Sequence, residues 1–178
     1  MCTVITHPAV PMALSVLVPQ ETASSSLLIA GALCSIVPDL DVVGFEFGIE
    51  YGDMFGHRGF THSIFFAALL ALFVTFAFFR NSTGSHLLIF LFLFISTLSH
   101  PALDALTNGG LGVGFFAPFS NERYFFVYRP IEVSPIGVGD FFSPRGLKVL
   151  LSELSWVWLP SAICFGLGHL IKRARDLT

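Results

Sequence analysis

Three long stretches of this chain contain no Asp, Glu, Lys or Arg: residues 59–79, 81–103 and 154–171. A helix needs about 20 apolar residues to cross the roughly 30 Å hydrocarbon core of a bilayer. The stretches therefore predict three membrane-spanning helices, at residues 60–79, 86–106 and 148–171. Charged residues make up only 12% of the 178 residues, about half the share found in soluble domains, so a soluble monomer is excluded.

The N-terminal region is apolar but divided into short pieces. Residues 10–18 and 26–37 are each shorter than a bilayer crossing, and the polar string PQETASSS separates them. They form either a short helical hairpin that enters the membrane and returns, or one interrupted span. The sequence thus predicts an all-α, polytopic membrane helix bundle, a single domain over residues 1–178, with a long irregular loop at 107–147.

Most of the histidines and several acidic residues fall at segment ends that alternate onto one membrane face. They occur in the strings THPA (6–9), PDLD (38–41), HRGFTHS (57–63) and SHPALD (99–104). Ionisable groups at the edges of apolar helices are costly, and they are therefore functional candidates by default. The candidate metal ligands in these strings are His7, Asp39, Asp41, His57, His62, His100 and Asp104.

In two of the strings, the spacing of the candidate ligands supports their binding to a common cation. His100 and Asp104 are four residues apart and share one helix face, so they suit one ion or a satisfied polar pair. Asp39 and Asp41 end an apolar helix, where the helix dipole disfavours carboxylates and a cation would compensate them. The alternative is that Asp39 and Asp41 are ordinary solvated loop acids. For His7, the hairpin topology is what would return the side chain to this membrane face.

The string HRGFTHS brings two histidines and a cation together. Gly59 favours a helix that begins after it, with Thr61 as its cap, so that His57 in the loop and His62 in the first turn can converge. An exposed histidine and a cap-region histidine are the alternative. We expect Arg58 to bring a positive charge to the rim of the site, where it would serve an anionic substrate.

The candidate ligands together favour a divalent metal site. Imidazole and carboxylate groups suit Zn²⁺, with Mn²⁺ or Fe as further options. The set exceeds the needs of one tetrahedral ion, so two ions, or one ion and a general base, would use it. We expect Asp39 or Asp41 to act as base or bridging ligand.

The long loop carries PFSNERYFFVYRP at residues 118–130, in which arginines alternate with aromatic residues. Arg123 and Arg129 match phosphate oxygens, with Tyr124 beside them at headgroup level. An aromatic belt with snorkelling arginines is the alternative. Asn108 and Asn121 are candidate hydrogen-bond donors to a bound ligand.

The combination of PDLD, HRGFTHS, SHPALDALTNGG and PFSNERY resembles the YdjM-type family of LexA-regulated, inner-membrane proteins, which includes YbcI-like members and is described as metal-dependent hydrolases. The resemblance covers residues 7–136. It implies metal-ligand roles for His57, His62, His100 and Asp104, places Asp39, Asp41 and His7 in the same cluster, and suggests that Arg123 belongs to the site.

These observations lead to an expected function. We expect an inner-membrane, metal-dependent hydrolase that cleaves a phosphoester in a lipid or similar anionic amphiphile, with its loops on the outer face. Hydrolysis of lipid ester or amide bonds, a non-catalytic protein with a structural metal, and metal transport are the alternatives. The net charge of −3 argues against nucleic acid as a partner.

Overall fold

The computed structural model describes residues 1–135 and 142–175, and over these residues it confirms the all-α bundle. Short 3₁₀ segments precede or follow several helices, and a π-helical turn joins the last two. The helices are α1 (Ala9–Leu14), α2 (Ser25–Cys34), α3 (Ile64–Phe78), α4 (His86–Ala105), α5 (Pro144–Glu153) and α6 (Leu159–Arg175). The 3₁₀ segments are Ser15–Leu17, Val37–Phe47 and Phe60–His62, and the π-helical turn is Leu154–Trp158.

Three segments are long and apolar enough to cross a membrane: Ser25–Phe47, His86–Ala105 and Pro144–Ala174. The last two match predicted spans. The predicted span at 60–79 is corrected, because it holds the 3₁₀ turn Phe60–His62 and then only the 15 residues of α3, or about 22 Å of α-helix. The piece at 26–37, which the sequence indicated to be too short, is instead part of the candidate span Ser25–Phe47.

The first residue of α3 is set locally, by its N-terminal cap. The Ser63 hydroxyl accepts a hydrogen bond from the Phe66 amide at 3.0 Å and caps the helix there. The predicted cap, Thr61, is therefore wrong, since it lies in the preceding 3₁₀ turn. This turn holds His62 outside the regular helix.

Of the two N-terminal alternatives, the structure has the hairpin. Helix α1 continues into a 3₁₀ turn, the chain reverses, and α2 begins at Ser25, capped by the Ser24 hydroxyl. The two helices pack against each other and against α4. The hairpin brings the residues before α1 and those after α2 to the same end of the bundle.

The bundle has two distinct ends. At one, which we call the link end, the Ser85 amide donates to the Thr22 hydroxyl at 3.3 Å, and Gly168 of α6 lies against Val16. At the other, which we call the cluster end, the Cys2 amide donates to Asp104 at 2.8 Å. The segments that carry the candidate ligands therefore meet at the cluster end.

Helix α4 lies at the centre of the bundle. It packs on α2 so closely that a Cβ atom on Gly31 would lie 2.5 Å from the Phe92 ring. Helix α3 packs on its other side through small buried residues, Ala67 and Ala71. The segment after α2 and the turn before α3 are thus held beside the last turns of α4.

The long loop folds over the cluster end. Isolated bridges pair Thr107 with Ile131 and Val113 with Tyr124, and the Ile64 amide donates to the Phe115 carbonyl at 3.0 Å. Residues 136–141 of this loop lie outside the described part of the chain. The described part covers the turn that precedes α3.

Candidate metal centre

Four side chains from three parts of the fold form a group positioned to bind a metal ion, which we call the His/Asp cluster. Asp39 follows α2, His62 precedes α3, and the other two lie one turn apart on α4. Each offers a ligand atom within 4.8 Å of the other three, and all four side chains are buried. The members are Asp39, His62, His100 and Asp104.

The separations within the cluster match those around a single cation. His100 Nε2 lies 3.0 Å from His62 Nε2 and 3.3 Å from Asp39 Oδ1. His62 Nε2 lies 3.7 Å from Asp39 Oδ1 and 3.6 Å from Asp104 Oδ2. Ligands about 2.0–2.1 Å from a tetrahedral zinc ion are about 3.4 Å apart.

A backbone carbonyl fixes the orientation of His100. Its Nδ1 donates to the Ser35 carbonyl at 2.7 Å, and a carbonyl can only accept. The neutral ring therefore carries its proton on Nδ1 and directs the Nε2 lone pair towards His62 and Asp39. This is the tautomer that a metal ligand needs.

The Asp39 carboxylate provides the test of fit for a cation. It is only 4% exposed, and neither oxygen has a hydrogen-bond partner among residues 1–135 and 142–175. A buried carboxylate costs several kcal/mol unless it is paired. Because imidazole nitrogens face it at 3.3 and 3.7 Å, a divalent cation between them would satisfy all three groups.

His62 bridges the His/Asp cluster and a second group of potential ligands. Its Nδ1 lies 3.2 Å from Asp41 Oδ2 and 3.1 Å from the Thr61 hydroxyl. Burial lowers the pKa of His62, but the neighbouring carboxylates of Asp104, Asp39 and Asp41 outweigh it and raise the pKa to about 10. A proton on His62 thus partly replaces the positive charge that the cluster needs.

The second group consists of Asp41, His57 and His62. Asp41 Oδ1 lies 2.7 Å from His57 Nδ1, while Oδ2 accepts from the Thr61 hydroxyl at 2.6 Å and the Arg58 amide at 3.2 Å. Because the carboxylate accepts from Nδ1, the neutral His57 ring keeps an unprotonated Nε2. Asp41 therefore orients both imidazoles.

His7 lies against the His/Asp cluster. Its ring stacks on His100 with centroids 3.7 Å apart, and neither ring nitrogen finds a hydrogen-bond partner in the described part of the chain. Burial, followed by the neighbouring His100, lowers the pKa of His7 to about 3. His7 is therefore neutral, and the lone pair on its unprotonated ring nitrogen is available to coordinate a metal ion.

Arg58 does not lie at the rim, and that expectation is corrected. Its side chain is fully buried, with Nε 3.0 Å from Asp104 Oδ2 and further bonds to the Gly109 carbonyl and the Thr107 hydroxyl. Its φ of 63° is unusual for a non-glycine residue. Arg58 neutralises Asp104 from within the protein.

Arg123 holds the loop that carries His57. Its guanidinium donates to the carbonyls of His57, Tyr51 and Asp53 at 3.0, 3.3 and 2.6 Å. The side chain is half-buried, and these bonds fasten residues 51–57 beside the second group. Arg123 thus lies beside the site and contacts it through the backbone.

The four predicted substrate-binding residues lie outside both His/Asp groups. Arg129 stacks on the Phe125 ring at 4.6 Å, and the Tyr124 hydroxyl donates to Glu122. Asn108 donates to Glu132, and Asn121 donates to the Gly52 carbonyl. Their contacts join surface loops, and their predicted role remains a prediction.

A buried network that was not predicted from the sequence holds the N-terminal segment. Glu153 accepts from the Thr3 amide and from the hydroxyls of Thr3 and Thr6, and the Trp158 indole also donates to Thr6. The network fixes Thr3, which follows Cys2, and Thr6, which precedes His7. It thereby supports the contacts of Cys2 with Asp104 and of His7 with His100. An acidic residue inside an apolar stretch was the available signal.

These features define a class: a helical membrane protein with a buried His/Asp group positioned to bind a metal ion. The family described as "YdjM inner membrane protein" matches residues 1–175, and the chain belongs to this family. It is 42% identical over 167 residues to the inner membrane protein YbcI of Escherichia coli (strain K12), covering 94% of this chain and 96% of that protein. No solved structure matches significantly.

The family and the relative support an inner-membrane location, together with the three apolar segments. The resemblance expected from the sequence motifs is confirmed, and it now extends beyond residues 7–136. The predicted ligands, base and substrate-binding residues remain predictions.

Proposed function

We propose that the protein is a membrane-bound, metal-dependent hydrolase whose cation is held by Asp39, His62, His100 and Asp104. The observation that carries the proposal is the buried Asp39 carboxylate, which has imidazole nitrogens as neighbours and lacks a hydrogen-bond partner among the described residues. Zinc suits this nitrogen and oxygen donor set, and Mn²⁺ or Fe would also be accepted.

The cation would supply Lewis acidity, which lowers the pKa of water towards 7 and polarises a substrate oxygen. The protein supplies a base nearby. His57 would accept the proton of the attacking water at Nε2, and Asp41 would stabilise the resulting imidazolium through Nδ1. The His57 and His62 rings lie 5.4 Å apart, which supports cooperation between the base and the cluster.

A phosphoester in a membrane lipid or similar anionic amphiphile is the proposed substrate, and lipid ester or amide bonds are the next choice. The support is the position of the cluster at one end of apolar helices, beneath loops with exposed aromatic residues such as Phe47, Phe55 and Phe119. Exposed Phe side chains would contact lipid, and Tyr and Trp, such as the exposed Tyr128 and Trp156, favour the interface between membrane and water. Arg129 is exposed on the same loops and would attract an anionic headgroup.

We also propose that the cluster end faces away from the cytoplasm. Arg80 in the short link and Lys172 and Arg173 near the C-terminus belong to the opposite end. Short cytoplasmic segments carry an excess of Lys and Arg. The cluster end carries a similar number of cations, Arg58, Arg123, Arg129, Arg145 and Lys148. The shortness of the link and of the C-terminal tail, and not a difference in charge count, is therefore what supports the orientation expected from the sequence.

A structural metal site is the second candidate, and one observation favours it. The four cluster side chains are between 0 and 4% exposed, and they join the segment after α2, the turn before α3 and the end of α4. A closed sphere of four protein ligands is typical of structural zinc. In that case the ion would tie the hairpin to the bundle.

Turnover of phosphoester lipids tests the proposal. Purified protein loaded with Zn²⁺ would be incubated with phosphatidic acid and phosphatidylglycerol phosphate in mixed micelles, and phosphate release measured. We expect metal-dependent release that Asp39→Asn abolishes and Asp53→Asn, at an exposed acid, retains. Bound metal without turnover of phosphoester, ester or amide lipids, combined with a large loss of thermal stability on chelation, would favour the structural site.

A further inference from the structure

A groove of about 520 Å³ runs between α2 and α3. Apart from the Ser26 hydroxyl and the Cys34 thiol, its lining is hydrocarbon. The residues of the lining are Ser26, Ile29, Ala30, Leu33, Cys34, Val37, Leu70, Val74, Phe78 and Phe79. Such a surface offers little to a soluble, polar ligand.

The groove opens to the membrane. Its walls include α2, which begins the candidate span Ser25–Phe47, and the apolar helix α3. Residues on its edges face outwards, with Ile29 60%, Leu33 59% and Phe78 73% exposed. The medium around them is lipid, so the occupant that this groove fits is an acyl chain rather than a peptide or a sugar.

The groove runs along the bundle towards the His/Asp cluster. Its lining extends from Phe79, which begins the link, to Cys34 and Val37 at the other end of α2. The Ser35 carbonyl, which orients His100, lies between these last two. Asp39 follows two residues later, so the groove ends beside the segment that supplies the cluster.

We propose that this groove binds one acyl chain of the amphiphile that the protein acts on and directs its polar end to the cluster. This inference rests on the proposed function, because it names the part of the lipid substrate that the membrane-embedded helices recognise. Access is lateral, from the leaflet next to the cluster end. The groove thereby selects for a long, flexible hydrocarbon chain and leaves the headgroup to the loops.

Photo-crosslinking tests the groove independently of catalysis. Purified, metal-loaded protein in nanodiscs would be exposed to phosphatidic acid with a diazirine in one acyl chain, irradiated, and analysed by peptide mass spectrometry. We expect labelling concentrated on the lining, particularly Leu33, Leu70 and Val74. Ala30→Phe, which fills the groove, should remove most of this labelling.

The matched control is Ala77→Phe, which adds the same ring at an exposed α3 position outside the lining. It should leave the labelling unchanged. Labelling spread evenly over the lipid-facing helices, or unaffected by Ala30→Phe in a folded protein, would overturn the proposal. If the groove is labelled but the protein turns over no lipid, the acyl-chain site is retained and the proposed hydrolase function is rejected.

Discussion

Asp41 illustrates how much a single carboxylate can organise. Its two oxygens contact His57, His62, Thr61 and the Arg58 amide. Sequence analysis could place Asp41 near the histidines because PDLD ends an apolar segment. It could not distinguish a base or bridging ligand from a residue that orients imidazoles, because that distinction depends on which atoms face one another.

We expect Asp41→Asn to weaken Zn²⁺ binding by about 10–100-fold without abolishing it, because carboxylates that orient ligating histidines have effects of this size. Competition with a chromophoric chelator measures the affinity. Asp53→Asn serves as the control at an exposed acid. An unchanged affinity in Asp41→Asn would show that Asp41 does not support the metal ligands.

We expect His62 to make metal binding depend on pH. Its pKa is raised to about 10 by the carboxylates around it, so the metal-free protein holds a proton there at neutral pH, and this proton must leave before Nε2 can bind a cation. Affinity should therefore rise with pH up to about 10, by as much as tenfold per pH unit.

Calorimetry of Zn²⁺ binding in buffers of different ionisation enthalpy measures the released proton. At pH 7 we expect about one proton per ion from His62, in addition to any from other ligands. His62→Gln should release one proton fewer. Binding that is equally tight at pH 6 and pH 9 would contradict the role assigned to His62.

Other residue-level features were less accessible from the sequence. The spacing of His100 and Asp104 on one helix face was sufficient to predict their proximity. Arg58 was placed at the rim because an arginine in a loop normally faces solvent. The side chain is turned inwards towards the Gly109 carbonyl and the Thr107 hydroxyl, which lie about 50 residues away in the chain. The positive φ of Arg58 has no signal in the local sequence.

At the scale of elements, the junction of α5 and α6 supports the N-terminal segment. The π-helical turn Leu154–Trp158 begins directly after Glu153, and Trp158 contacts the same threonine that Glu153 binds. A π-helical turn inside an apolar helix is not visible in hydrophobic periodicity. The network that packs the N-terminal segment onto the end of α4 was therefore not predicted.

Glu153→Ala should destabilise the protein by about 1–3 kcal/mol or more, because it leaves the Thr3 amide and the Thr6 hydroxyl buried without their acceptor. The Thr3 hydroxyl would keep only the Thr6 hydroxyl as acceptor. Thermal unfolding in detergent measures the loss, and Glu46→Ala at an exposed position is the control. Glu153→Gln keeps an acceptor and should recover part of the stability. Equal stability of Glu153→Ala and wild type would contradict this role for the network.

Element boundaries followed a general pattern. The apolar stretches identified α4 and the C-terminal helices, because a long stretch without charges favours a span. The similarly long stretch at 59–79, which holds the shorter helix α3, shows that these two features alone do not set the length of a helix. The first residue of α3 depended on whether Thr61 or Ser63 capped it, and both hydroxyls fit the rule. The contact between Thr61 and Asp41 decided the choice, and it is tertiary.

At the scale of the whole molecule, the hairpin is what completes the centre. By returning α2 to the cluster end, it brings Asp39 next to His62 and His100 and places His7 against the same ring. The alternation of spans predicted this meeting in outline. Its geometry required the close packing of α2 on α4 at Gly31, a contact that no local pattern specifies.

The metal content of the purified protein tests the central claim most directly. After purification in the presence of Zn²⁺ and removal of excess ion, mass spectrometry should find about one ion per chain or more. His100→Ala should lose most of it, whereas His86→Ala, at the link end, should retain it. Metal content near zero in wild type, or equal in both variants, would contradict the account.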